Sequence, residues 1–286
     1  MLGAVMVRHV AAFSLLLVLL VGVVPARAGD GAAAVPLPGT TFDYGYDGKD
    51  IGHPERAWLG RAYVPPKAKQ AKHPVPLVIF LHGLNAALIE YRWMGGGREG
   101  DVRRIVGDMV ARDAVEPVVV AGPSSVVASQ VSRGASWNYL DLDHFIDRTV
   151  AQLQGVATID ESRIIVAGHS GAGCSSAGGL ATVGESRRRL LAIFSIDTCM
   201  GGWLAEALGR SHPSTHVVVS YQTNTWRSRG FKVFARLFER EVERHPAADG
   251  VLRALEHQKP KAAYHDATVA LTFGRWLPKV LTAGRR

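Results

Sequence analysis

Short apolar runs alternate with segments of helical spacing along most of this chain, and that alternation restricts its fold more than any other feature. The runs are rich in β-branched residues and cover residues 61–64, 75–81, 117–121, 163–167, 191–196 and 216–221. The helical segments cover residues 101–112, 143–154, 171–183, 231–244 and 268–281. Residues 251–257 fit either a strand or a helix, and we favour a last strand. Continuously apolar strands separated by helices predict an α/β fold, a mostly parallel central sheet with helices on both faces.

Function in such a fold concentrates at one edge of the sheet. Parallel strands end together, and the loops that follow their carboxyl ends carry the binding and catalytic groups. Right-handed crossovers restrict most of the remaining topology. We therefore expect the functional residues directly after the predicted strands.

The N-terminus has the pattern of a secretory signal peptide. Arg8 and His9 precede an apolar run at residues 10–24, and residues 25–28, Pro-Ala-Arg-Ala, supply an A-x-A cleavage site. The run is shorter than the ~20 residues that a membrane-spanning helix needs. We therefore expect cleavage after residue 28, export to the periplasm or the medium, no stable membrane span after processing, a flexible segment over residues 29–56 and one domain over residues 57–286.

The composition argues against several classes of ligand. The formal net charge is +8 at pH 7, but basic runs such as residues 187–189 usually form solvated faces. An exported protein does not meet nucleic acid, so we expect no such partner. The sequence has no H-E-x-x-H or C-x-x-C motif and no carboxylate cluster with metal-ligand spacing, so we expect no metal ion and no cofactor. The oligomeric state stays open.

Residues 164–173, Ile-Ile-Val-Ala-Gly-His-Ser-Gly-Ala-Gly, run from a buried strand into small residues. A nucleophile elbow needs this context, because its serine lies on a strained strand-to-helix turn between residues small enough for close packing. Here Gly168 and Ala172 flank Ser170, which gives G-x-S-x-A in place of G-x-S-x-G. The string also resembles a phosphate-binding P-loop, but Cys174 stands where that motif needs lysine. We expect Ser170 to be the nucleophile and the Gly171 N–H to be an oxyanion donor.

Together with residues 159–164, Ile-Asp-Glu-Ser-Arg-Ile, this turn resembles the secreted esterases of the α/β-hydrolase superfamily, the feruloyl-esterase and polyhydroxyalkanoate-depolymerase-like group. The resemblance covers residues 75–266 at the level of motifs. It implies an α/β-hydrolase fold and a serine hydrolase that cleaves a small-molecule or polymer-linked ester through an acyl-serine intermediate. A peptidase or amidase uses the same groups, and an envelope binding protein without catalysis is the alternative from another class.

The strand at residues 75–81 ends in His82, Gly83 and Leu84, which match the H-G-x segment of this superfamily. The resemblance implies that the Leu84 N–H is the second oxyanion donor. Gly83 lets the backbone come close to the substrate oxygen. His82 is expected at the substrate site, where it fixes the loop.

A serine hydroxyl needs a base to take its proton, and in this superfamily the histidine follows the last strand. His265 fits that position. His257, which belongs to the preceding strand, and His245, which reads as a helix cap, are the alternatives.

The acid usually follows the strand at residues 216–221, but residues 222–230 contain no Asp or Glu. Some members of the superfamily place the acid after the preceding strand, where Asp197 lies. We therefore expect Asp197 to fix the tautomer of His265 in a Ser–Asp–His triad, with Asn224 as the alternative orienting residue.

Aromatic residues are expected around the entrance of the site. Four tryptophans fall in segments that follow strands, and an aromatic rim suits sugars, aryl groups or acyl chains. They are Trp93, Trp137, Trp203 and Trp226. Trp137, Asn138 and Tyr139 are the main candidates for substrate contact. Few residues separate Asp197 from the next strand, so we expect a minimal lid and an open site.

The chain has two cysteines, Cys174 and Cys199. An even count in an exported protein permits a disulfide without demanding one. Two buried thiols that act as small apolar groups are the alternative.

Overall fold

A computed structural model describes residues 36–47, 57–84, 100–124, 137–138, 140–222, 230–259 and 265–284 of the 286-residue chain. From Leu37 onward these residues belong to one compact unit. The predicted signal peptide lies outside the described residues. No helix in the described ranges combines the length and the apolar character that crossing a bilayer requires.

Within the described residues, the strands form one 8-stranded sheet with the order β1-β2-β4-β3-β5-β6-β7-β8. They are β1 Thr40–Asp47, β2 Ala57–Val64, β3 Val75–Leu81, β4 Val119–Pro123, β5 Ile159–His169, β6 Ala192–Ile196, β7 His216–Tyr221 and β8 Arg253–His257. All pairings from β4 to β8 are parallel, and β2 is antiparallel to both of its neighbours. The expectation of a mostly parallel sheet is confirmed.

The helices are α1 Pro66–Lys69, α2 Val102–Ala111, α3 Leu142–Leu153, α4 Gly202–Gly209, α5 Phe231–Arg244 and α6 Ala267–Ala283. Asp101 caps α2 by accepting the Arg103 N–H at 3.0 Å, and Asp141 caps α3 by accepting the His144 N–H at 2.9 Å. These N-caps explain why the predicted bounds of both helices lie within one residue of the observed bounds.

Successive residues of a strand point to opposite faces of the sheet. Apolar residues at successive positions therefore make both faces apolar, and helices cover both of them. In β3, Leu77 and Ile79 pack into one apolar cluster with α3, α4 and α5. Val78 and Phe80 pack into a second cluster with α2 and α6. Both faces of the central strands are therefore buried, as their continuous apolar runs predicted.

The segment expected to be flexible contains the edge strand β1, so that expectation is wrong for Thr40–Asp47. The strand pairs with β2 along its whole length. The Tyr44 hydroxyl hydrogen-bonds to the Thr149 hydroxyl at 2.6 Å, and the Tyr44 ring stacks 6.3 Å from that of Phe145. Burial raises the pKa of Tyr44. The alternation of Phe42 and Tyr44 with polar residues was the available strand signal, but glycine and proline around it hid this pattern.

The helix expected over residues 171–183 does not form. The chain makes a 3₁₀ helix at Ser170–Gly173 and, after an irregular stretch, another at Gly179–Gly184. Glycine disfavours an α-helix by about 1 kcal/mol per residue relative to alanine, and this segment contains several glycines. Gly179 has a φ of +57°, and a side chain on Gly178 would collide with the Trp137 carbonyl. The turn after β5 is therefore shaped by close packing against Trp137 rather than by a continuous helix.

Residues 197–215, which connect β6 to β7, contain the short helix α4 and add no further insertion at that position. A lid of the kind that some hydrolases insert there would need more chain than this. The carboxyl edge of β6 and β7 is accordingly free of a lid from this connection, as the sequence predicted.

Candidate active site

Ser170 lies directly after β5, at the centre of the carboxyl edge of the sheet. Its φ is +54°, a left-handed conformation that residues with a Cβ rarely adopt. Such strain costs on the order of 1–3 kcal/mol and persists where the surrounding structure holds it, most often at functional sites. The strand ends at His169, and the sharp turn that follows puts Ser170 at the sheet edge. This is the geometry of a nucleophile elbow.

The loop after β3 passes directly against Ser170. A Cβ built on Gly83 would lie 2.6 Å from the Ser170 Cβ and 3.0 Å from its Oγ. Only a glycine allows the backbone to approach the hydroxyl this closely. The next residue, Leu84, has a side chain that is 48% exposed. The predicted oxyanion loop and the predicted nucleophile are therefore adjacent.

Asp197 and His265 meet in a hydrogen bond between the Asp197 Oδ2 and the His265 Nδ1. Asp197 directly follows β6, is fully buried and has a φ of +44°. His265 lies two positions before α6, and its carbonyl accepts the hydroxyl of Thr268 in the first turn of that helix at 2.6 Å. Because Nδ1 donates to the carboxylate, Nε2 is the acceptor nitrogen of the neutral ring.

His169 connects this pair to the turn that carries Ser170. Its ring centroid lies 4.4 Å from that of His265, and its Nε2 lies 3.3 Å from the His265 carbonyl oxygen. Since His169 is the neighbour of Ser170 in the chain, this contact fixes the segment that carries His265 beside the turn that carries Ser170. The structure thus brings the residues at positions 170, 197 and 265, which come from distant parts of the sequence, to one edge of the sheet.

Gln222 is a residue of the site that sequence reasoning missed. It directly follows β7 and is fully buried. Its Nε2 donates to the Asp197 Oδ2 at 2.8 Å, and its backbone N–H donates to Oδ1 at 3.4 Å. The acid of such a triad is usually expected after β7, but here an amide stands in that place and hydrogen-bonds to Asp197, the predicted acid, which follows β6. A polar residue at the end of a buried strand was the signal.

We expect Gln222→Leu to lower kcat by roughly ten- to a hundredfold with little change in KM, because a hydrogen bond to a charged group contributes about 1.5–3 kcal/mol. The carboxylate of Asp197 would lose the donor that fixes its rotation. Steady-state kinetics with a soluble ester measure this effect.

The matched control for that variant is Gln258→Leu. Gln258 is another buried amide, which follows β8 and donates to the Thr272 hydroxyl at 3.0 Å. Its replacement should lower the unfolding temperature without lowering kcat. Equal kinetic losses in both variants would contradict a specific role for Gln222.

The substrate contacts expected of His82 and Trp137 stay predictions, and His82 has a contact that fits its expected loop-fixing role, from its Nδ1 to the Gly83 carbonyl oxygen at 2.7 Å. Both side chains are fully buried, and their ring centroids lie 4.9 Å apart. The Trp137 ring packs against Gly179 and against the ring of His82, the residue before Gly83. A large aromatic ring buries more area under a loop than on an exposed rim, which explains why the Trp137 ring is buried.

The other candidates around the entrance have different outcomes. Asn138 is exposed, and its Oδ1 accepts the Ser175 hydroxyl at 2.9 Å. Trp203 is partly buried and lines a cavity of about 460 Å³ beside Leu190 and Ile193, near the amino end of β6. Tyr139, Trp93, Trp226 and Asn224 lie outside the described residues.

The two cysteines form a disulfide, with 5.0 Å between the Cα atoms of Cys174 and Cys199. This settles the alternative that the sequence left open. Across the described ranges, no group of at least 3 His, Cys, Asp or Glu side chains is arranged to hold a metal ion.

No family model matches the chain, and no curated protein matches it. Solved structures do. A ferulic acid esterase has a TM-score of 0.58 and 10% identity, over 86% of this chain and 99% of that one. An S-formylglutathione hydrolase from Agrobacterium tumefaciens has a TM-score of 0.57 and 15% identity, over 86% and 97% of the two chains. A dienelactone hydrolase-like promiscuous phosphotriesterase from metagenomic libraries has a TM-score of 0.53 and 14% identity, over 85% and 98%.

These likenesses, together with the strand order and the turn after β5, show the class of fold. The chain has the α/β-hydrolase fold, as the motifs implied. At such low identities the comparisons speak to the fold alone, and the chemistry has to be argued from the residues.

Proposed function

We propose that this protein is an exported serine hydrolase that cleaves carboxylic esters. The observation that carries the proposal is the hydrogen bond between the buried Asp197 and the partly buried His265, beside a strained Ser170 turn that the Gly83 loop contacts. Each group has the chemical type and the sheet-edge position that acyl transfer requires.

In the first half of the reaction, the Ser170 Oγ attacks the ester carbonyl while its proton passes to Nε2 of His265. Asp197 stabilises the imidazolium that forms, through the bond to Nδ1. The negative charge on the carbonyl oxygen is stabilised by the backbone N–H groups of Gly171 and Leu84. The tetrahedral intermediate collapses, and the alcohol leaves with the proton from Nε2, so that an acyl-serine remains.

In the second half, water attacks the acyl-serine and gives its proton to His265. The new tetrahedral intermediate releases the carboxylic acid and returns the proton to the Ser170 oxygen. The short connection between β6 and β7 and the exposed Leu84 favour a small or polymer-linked ester over a long chain buried under a lid. Esterases among the proteins of similar fold are consistent with this substrate class.

Export accounts for two features at once. The N-terminal segment has the signal-peptide pattern, and disulfides such as Cys174–Cys199 persist mainly in oxidising compartments. Protein recovered from the periplasm or the medium should begin at Gly29, and mass spectrometry of its N-terminal peptide checks this. Recovery of the full-length chain from the cytoplasm would contradict export.

The decisive test of the chemistry is covalent labelling of the mature protein with a fluorophosphonate probe, followed by mass spectrometry. We expect one adduct, on the peptide that contains Ser170. A panel of p-nitrophenyl esters and peptide p-nitroanilides then separates esterase from peptidase activity, and ester turnover should dominate. A protein that neither reacts with the probe nor hydrolyses any ester would be a binding protein that kept the fold.

A further inference from the structure

We propose that the Cys174–Cys199 disulfide is a positioning element of the active site. It ties the turn that carries Ser170 to the loop that carries Asp197, and catalytic turnover depends on that tie. The inference rests on the proposed serine-hydrolase function and adds a device that sets its alignment.

The two cysteines follow the two catalytic positions closely. Cys174 ends the 3₁₀ helix that begins at Ser170, with its N–H donating to the Gly171 carbonyl at 3.2 Å. Cys199 stands two positions after Asp197. The covalent link therefore joins the nucleophile segment to the acid segment and leaves only a few rotatable bonds between them.

The pairing between β5 and β6 stops before the two catalytic positions. β5 and β6 pair in parallel up to His169 and Ile196, and the pairing ends there. Ser170 and Asp197 each lie one residue beyond the last pair. The Asp197 N–H donates to the Ser220 carbonyl of β7 at 2.7 Å, so the acid is held by β7, and its link to the Ser170 turn comes from contacts beyond the β5–β6 pairing.

Both segments are also strained. Among the described residues other than glycine, positive φ angles occur at Ser170, Asp197, Met200 and Asp113. Of these, only Asp113 lies outside the two linked segments. A residue keeps such a conformation only where the surrounding structure holds it in place. A covalent bond between the two segments is the strongest restraint of this kind.

The missing α-helix makes the tie more important. A long helix after the nucleophile would anchor the turn through its own hydrogen bonds, but here the turn continues into a 4-residue 3₁₀ helix. Besides the packing against Trp137, contact with the Asp197 loop holds this turn. A Cβ built on Gly173 would lie 2.5 Å from the Thr198 Cγ2, so the turn and the loop pack without space between them.

The test compares oxidised and reduced forms of the same protein. Cys174 is exposed and Cys199 is partly exposed, so dithiothreitol reaches the bond in the folded state. Two electrons and two protons pass to the disulfide, giving two thiols and the cyclic disulfide of the reductant. Thiol titration counts the product, and circular dichroism establishes that the reduced protein is folded at the assay temperature.

We expect kcat to fall by roughly ten- to a hundredfold on reduction, since a misplacement of about 1 Å at a catalytic site costs on the order of a hundredfold. KM should change less than about twofold, because the substrate-facing surfaces stay in place. Reoxidation should restore kcat, and the double variant Cys174→Ala, Cys199→Ala should behave as the reduced protein does.

A control variant separates the effect of misaligned active-site segments on kcat from the effect of a general loss of stability. Glu116→Gln weakens the ion pair with Arg163, which lies toward the amino half of β5 and far from Ser170. This variant should lower the unfolding temperature and leave kcat unchanged. If the reduced protein is folded and keeps its kcat within about twofold, the disulfide only stabilises the fold and the inference is overturned.

A second variant keeps the test decisive if reduction unfolds the protein. Gly173→Ala retains the disulfide and the whole triad but puts a methyl group against Thr198, which pushes the turn away from the loop. It should show the same loss of kcat at constant KM, and wild-type kcat in a folded Gly173→Ala protein would overturn the inference. An oxidised wild-type protein without labelling at Ser170 and without ester turnover would instead overturn the proposed function.

Discussion

Ser170→Ala is expected to remove ester hydrolysis and fluorophosphonate labelling together, with a fall in kcat of about 10⁶-fold, the size of the loss when a serine nucleophile is deleted from such a triad. The physical reason is that no other nucleophile occupies the turn at the end of β5. Alanine retains the Cβ, so the backbone strain at φ +54° is unchanged and the fold should be as stable as before.

Ser176→Ala is the matched control. Ser176 is an exposed serine on the same segment, beyond the disulfide. Its replacement should leave labelling and kcat at the wild-type level. Persistent labelling of Ser170→Ala at the wild-type rate would mean that another residue reacts with the probe, and the assignment of the nucleophile would then be wrong.

Asp197→Asn should lower kcat by about 10⁴-fold in a normally folded protein. The asparagine fits the same space, and its Oδ1 can still accept the Gln222 backbone N–H. When its amide nitrogen takes the Oδ2 position, it faces both Nδ1 of His265 and Nε2 of Gln222. The imidazole must then carry its proton on Nε2, and it can no longer accept the proton of Ser170. Steady-state kinetics and the rate of probe labelling should fall together.

The comparison for this variant is Asp143→Asn, which changes another buried carboxylate. Asp143 accepts the Ser186 hydroxyl at 2.6 Å and the Arg187 N–H at 2.8 Å, well removed in the chain from the triad. We expect it to lose stability but not kcat. Near-wild-type turnover in Asp197→Asn would place the acid elsewhere, and Asn224 would become the first residue to test.

The fold was largely predictable because its strands are buried on both faces. The bounds of β3, β7 and α5 match the predicted ranges, since a continuous apolar run or a helical period reports burial directly. β1 was not predicted, because an edge strand lacks a continuous apolar run. The prediction of a helix after Ser170 was wrong, because the local spacing of apolar residues does not show that Gly178 and Gly179 pack against Trp137.

The site was predictable to the extent that it follows strand ends. Ser170 and Asp197 come directly after β5 and β6, and the hydrogen bond between Asp197 and His265 was expected from the resemblance to the α/β-hydrolase superfamily. Gln222 was missed because an amide carries no motif of its own, and its role depends on which strand the acid follows. The buried position of Trp137 depended on tertiary packing, which a single sequence does not encode in any local pattern.

Adjacent positions on the loop after β3 differ sharply in how much change they can accept. At position 83 any side chain would occupy the space of the serine hydroxyl, whereas the side chain at position 84 extends into solvent while its backbone stays in place. Directed evolution toward bulkier esters should therefore randomise residue 84 and keep glycine at 83, so that the entrance is reshaped while the reacting atoms keep their places.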